Sequence, residues 1–121
     1  MVYSQANNER VVIGTLLNEF GQDGFYERNN MVLRSEMFTD VRNRFLFDTI
    51  CQMKHEGLTV TTPFDVLTFL QRKQIPYGDT QQLVSYMTDV AMNFALKTFD
   101  EQVTQLAQQY IRRKRREQLS K

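Results

Sequence analysis

Residues of the types that do chemistry are sparse in this chain. His55 is its only histidine and Cys51 its only cysteine, so the ligands of a zinc site are lacking. His55 stands beside Glu56 near a helix end, where a solvated or helix-dipole role is the ordinary one. Cys51 falls among Phe47 and Ile50 and reads as a small core hydrophobe rather than a reactive thiol. Five glycines, Gly14, Gly21, Gly24, Gly57 and Gly78, form neither GxGxxG nor a GxxxxGK loop, so neither phosphate cradle is written here. The one concentrated chemical feature is the basic run Arg112, Arg113, Lys114, Arg115, Arg116. Two readings of it stay open: a solvated helix end, or contact of Arg112, Lys114, Arg115 and Arg116 with phosphate or an acidic partner. With no nucleophile beside a base and no metal set, the chain by itself is read as non-catalytic and without a cofactor of its own.

The elements that hold these residues are those of one domain. The 121 residues are 41% hydrophobic and 12% aromatic, enough for a single core over 1–121 and too ordered in composition for disorder. Fifteen basic against fourteen acidic residues leave a net charge of +1. The balance is uneven, because residues 112–121 hold six basic and one acidic residue and the preceding 111 hold nine basic and thirteen acidic. A body of net −4 meets protein more readily than DNA. One cysteine forms no internal disulfide, no apolar run reaches the ~20 residues of a membrane span, and MVYSQANNER has no signal-peptide core. A reducing, cytoplasmic setting is expected, with no membrane partner.

Helical periodicity dominates the chain. Val12, Ile13, Leu16, Leu17 and Phe20 form one stripe of a helix over about Asn8–Phe20, capped by Asn7 or Asn8 and broken at Gly21 and Gly24. Gly14 inside that stripe implies close approach of a neighbouring helix. Phe25–Leu33 reads as weakly helical, and Ser35 with Glu36 opens a single turn ending at Phe38. Thr39 is expected to cap a central helix that runs to Glu56 and stops at Gly57. Its apolar residues, Phe38, Val41 and Phe45, then Leu46, Ile50 and Met53, then Phe47 and Cys51, cover several faces, so neighbours should surround it. After an extended link Leu58–Thr61, Thr62-Pro63 opens a helix through Lys73 with Phe64, Leu67 and Leu70 inward.

Pro76 and Gly78 then mark a turn, and Asp79 with Gln82 opens a helix carrying Leu83, Tyr86, Met87 and Val90 on one side. Met53 and Met87 read as core, and Met31, Met37 and Met92 as edge positions open to solvent. The last helix starts between Asn93 and Thr98, where Thr98 with Glu101 repeats a capping box, and runs to about Gln118. Its narrow stripe of Phe99, Val103, Leu106, Tyr110 and Ile111 suits one helical partner, which makes Val103, Leu106, Tyr110 and Arg113 the candidate residues for self-association or partner contact. The expected fold is all-α, a compact bundle of about six helices with a long C-terminal helix.

Three stretches in order resemble the N-terminal domain of the bacterial replicative DNA helicase of the DnaB type. Glu9-Arg10-Val11-Val12-Ile13-Gly14-Thr15-Leu16-Leu17 is similar to that family's opening helix. Phe38, Asn43-Arg44-Phe45-Leu46-Phe47, Ile50, Met53 and Gly57 are similar to its central helix, and Val66 and Leu70 match leucine positions of the next. Thr62 stands where the family usually has Asp, and Tyr77-Gly78-Asp79-Thr80 where it has paired glycines. The resemblance implies a helical head over about 8–92 and the first half of a helical hairpin over about 93–118. It also implies a collar of dimer pairs or a hexamer, help in recruiting primase, and an ATP- and Mg-dependent motor C-terminal to Lys121 through which the parent protein engages DNA. Two alternatives keep a helical fold: the helicase-binding C-terminal domain of primase, and a small DNA-binding regulator that uses the basic C-terminal helix on phosphates.

Overall fold

In the computed structural model residues 5–18, 27–29 and 32–119 are described. They form five helices, α1 (Gln5–Leu16), α2 (Val41–His55), α3 (Pro63–Arg72), α4 (Thr80–Ala91) and α5 (Phe99–Leu119). A single helical turn at Glu27–Asn29 and a 3₁₀ turn at Ser35–Met37 join α1 to α2, and no strand occurs among the described residues. The all-α bundle with a long last helix is therefore the fold. Phe20, Gly21, Gly24 and, within the 25–33 stretch, Phe25, Tyr26, Asn30 and Met31 lie outside the described residues.

Local sequence explains most boundaries. Thr62 and Asp65 form a reciprocal capping box with Pro63 in the first turn of α3. The Asp79 carboxylate accepts the Gln82 N–H at 2.8 Å to open α4. Gly57, at φ +80°, ends α2 by letting the Leu58 N–H reach back to the Met53 carbonyl at 2.9 Å. Two expected caps are corrected. Asp40, not Thr39, caps α2, accepting the Arg42 N–H at 2.8 Å, because Thr39 is committed to a side chain of α1. Asn7 and Asn8 lie inside α1, which starts at Gln5, and Asn8 is buried so that its Nδ2 donates to both the backbone and side-chain oxygens of Gln102, at 2.9 and 2.7 Å.

The core gathers residues from all five helices. Val12, Ile13 and Leu16 of α1 and Leu17 just after it are fully buried, with Leu46, Ile50, Val66, Leu70, Met87, Val90, Phe99 and Leu106 among the residues around them. α1 is the axis of the arrangement, packed chiefly on α5 and α4 and then on α2. Gly14 makes this possible: a Cβ there would stand 2.0 Å from the Val90 carbonyl oxygen, so α1 and α4 touch backbone to backbone. Three faces differ from the sequence expectation. Val41 is 74% and Phe64 59% exposed, whereas Phe69 and Met37 are buried. The periodicity places Val41 and Phe64 correctly on their helices, but each stands in the first turn, ahead of the neighbour that covers the rest of the stripe.

Candidate functional site

A carboxylate inside the bundle organises the surface around it. Glu9 of α1 is fully buried and accepts the Thr39 N–H at 2.9 Å, the Asp40 N–H at 3.2 Å, the Thr39 hydroxyl, and Asn43 Nδ2 at 3.4 Å. It therefore holds the start of α2 from outside that helix, supplying negative charge where the α2 dipole is positive. Asn43 passes the connection on, its Oδ1 accepting the hydroxyl of Tyr86 on α4. Three helices are tied through one buried polar chain, each member with a partner, as buried polar groups require.

On the outside of that chain, α2 and α4 flank an open groove of about 900 Å³. Val41, Phe45, Leu83 and Tyr86 give it apolar walls, the Pro76–Asp79 turn adjoins it, and Asp89 lies farther along α4. The Arg42 guanidinium lies 4.0 Å from the centre of the Tyr86 ring and pairs with Asp40 through Nε at 3.2 Å and Nη2 at 2.9 Å. That pair holds the Asp40 carboxyl below its ordinary value. Burial, and then the Asp40 charge, push the Tyr86 phenol above its own. The Asp89 carboxylate has no partner among the described residues.

The sequence-expected partner residues divide. Val103 and Leu106 are core, 1% and 0% exposed, because the helix they were expected to find is α1 of the same chain. As a partner surface they are corrected: the first half of the α5 stripe is spent inside the domain. Tyr110 is half-buried, with Arg113 and Lys114 lying 5.6 and 5.8 Å from its ring centre. Arg113 donates to the Glu36 and Met37 carbonyl oxygens at 3.1 and 3.3 Å, fastening α5 to the 3₁₀ turn. Beyond it, Lys114 pairs with Glu117 at 3.5 Å, and Arg112, Arg115 and Arg116 are exposed. Ile111 and Leu119, 49% and 86% exposed, share a side of the helix with Arg112 and Arg115. The structure thus brings Ile111, Arg112, Arg115 and Leu119 together and separates them from Val103 and Leu106.

His55 is exposed on the last turn of α2, and Cys51 is half-buried against the core. Among the described residues no three His, Cys, Asp or Glu side chains gather as metal ligands, and no helix is long and apolar enough to cross a membrane. The groove escaped sequence reasoning because its walls come from helices about forty residues apart. Its one local signal was Val41, an apolar residue too early in α2 to be covered.

Comparison with known proteins agrees with this architecture. The family described as DnaB-like helicase N terminal domain matches residues 2–108. Searches of curated proteins and of solved structures returned no match.

Proposed function

Because the chain belongs to the DnaB-like helicase N-terminal domain family, we propose that it is a non-catalytic interaction domain of a replicative DNA helicase. In this reading it associates with copies of itself in a collar, helps to recruit primase, and works in the cytoplasm. The observation that carries the reading is the outer part of α5. About 20 Å of helix stands beyond Leu106, the last buried residue, and it presents Ile111, Leu119, Arg112 and Arg115 to solvent. An exposed apolar stripe with cations beside it on a terminal helix is suited to a second helix.

ATP and Mg²⁺ chemistry is assigned to the motor of the parent protein. DNA is engaged mainly through that same motor.

The test is the solution mass by light scattering, with and without the C-terminal domain of the cognate primase, for the parent chain and for Ile111→Asp. Association and primase capture are expected for the chain, and Ile111→Asp should weaken one or both by about tenfold with the melting temperature nearly unchanged. Leu106→Asp is unsuited to this purpose, since it places a charge in the core and unfolds the domain. A chain that stays monomeric and ignores primase overturns the reading.

A further inference from the structure

We propose that the α2–α4 groove is a docking site for a short amphipathic helix of a second protein, one that carries two apolar residues a turn apart between basic residues about three turns apart. The inference is made from the groove's own walls and charges and does not rest on the helicase reading.

The space is built as a seat for a helix. α2 and α4 each pack on α1 and on α3, and they meet each other chiefly through the Asn43 to Tyr86 hydrogen bond and the Arg42 guanidinium over the Tyr86 ring. Between them about 900 Å³ stays open, with the turn at 76–79 beside it. Val41, 74% exposed, and the half-buried Phe45 and Leu83 leave apolar surface along this space. Both walls are helices whose interior N–H and C=O groups are already paired along the helix, so the groove offers side chains and no backbone edge. An extended peptide would lay unpaired backbone against the apolar wall, whereas a helix satisfies its own.

The α4 wall sets the pattern of the occupant. Asp79, Leu83, Tyr86 and Asp89 follow one another at steps of four, three and three, which puts them along one side of the helix. The wall thus reads acidic, apolar, apolar, acidic over about 15 Å. Asp89 pairs with no cation among the described residues, and Asp79 keeps one oxygen after accepting the Gln82 N–H. Arg42, the basic residue among those that line the groove, is neutralised by Asp40 and does not repel an incoming cation. A helix laid alongside matches when it reads basic, apolar, apolar, basic at similar steps. Its arginine or lysine stems then cover apolar wall while their heads reach the two carboxylates. The chain's own basic run does not meet this pattern, since Arg112 to Arg116 are bunched within about 6 Å of helical rise.

The probe that tests the site is a lactam-stapled, alanine-based helix of about fifteen residues, with two leucines a turn apart at its centre and one arginine beyond each. Fluorescence anisotropy with the whole chain at near-physiological salt should give a dissociation constant of roughly 10–100 μM. Ser85→Lys with Asp89→Lys changes two exposed positions, leaves the Asp79 cap intact, and should weaken binding by at least about tenfold. Val41→Ser removes exposed apolar wall and should weaken it by about threefold. Circular dichroism melts like those of the parent chain are expected for both. Two further peptides each carry glutamate in place of one arginine. One of them, and not the other, should regain about tenfold on the doubly substituted chain, which also fixes the direction in which the helix lies.

No binding up to about 1 mM overturns the proposal. So does a scrambled peptide of the same composition that binds as tightly, or failure of both glutamate peptides to regain affinity. Equal or tighter binding by a peptide of residues 107–119 overturns it too, since the groove would then take a copy of this chain. Association of the chain and its capture of primase are read separately by light scattering, so the docking site and the helicase reading fail independently.

Discussion

An added methyl group at Gly14 would meet the Val90 carbonyl oxygen at 2.0 Å and its carbon at 2.9 Å, both backbone atoms that cannot step aside. Helix propensity alone favours Gly14→Ala by about 1 kcal/mol, so the sign of the measured change decides which effect governs. We expect destabilisation of about 3 kcal/mol by urea unfolding, because α4 must move as a body. Glu9→Gln should cost about 2 kcal/mol in the same assay. The amide oxygen can keep the Thr39 and Asp40 N–H groups, but the NH₂ then faces the Thr39 hydroxyl that donates to the second carboxylate oxygen, and the negative charge at the start of α2 is lost. The two residues were unequally legible. A glycine inside an apolar helical stripe signals close packing by itself. A glutamate on a helix does not announce a partner thirty residues away, and its claim on Thr39 is also why the cap of α2 falls on Asp40.

At the scale of elements, caps and turns were legible because their partners are three or four residues apart, as in Thr62 with Asp65 and Asp79 with Gln82. Faces were less so, since Val41 and Phe64 depend on where a neighbouring helix stops. The α3 cap makes a pH prediction. Partial burial pushes the Asp65 carboxyl up, but the Thr61 hydroxyl at 2.7 Å, the Thr61 N–H at 2.8 Å and the Thr62 N–H at 3.1 Å outweigh it and hold the group below its ordinary 3.8. A depressed carboxyl contributes stability that is whole above the unfolded value of 3.8 and is lost as pH falls through the folded one. Urea unfolding from about pH 6 to about pH 2.5 should therefore show an acid loss that Asp65→Asn flattens, that variant being weaker by about 1 kcal/mol at neutral pH. The stripe on α5 carries the same lesson in larger form. Its period was read correctly, but no local pattern says that α1 of the same chain occupies its first half.

For the molecule as a whole, the division of charge was countable from composition, whereas the groove exists only once α2 and α4 are side by side. The all-helical class was legible because every long apolar run repeats at the helical period. The partner surface was not, because exposure is set by tertiary contact. One contact has a consequence in time. Asn8 and Gln102, hydrogen-bonded through Nδ2, are 94 positions apart, and α4, the other main cover of α1, also follows late in the chain. At about 5–20 residues per second of synthesis, the apolar side of α1 emerges roughly 5–20 s before α5 exists to shelter it. α1 is thus synthesised well before it is enclosed, and through that interval the nascent chain offers Val12, Ile13, Leu16 and Leu17 to whatever waits at the ribosome exit.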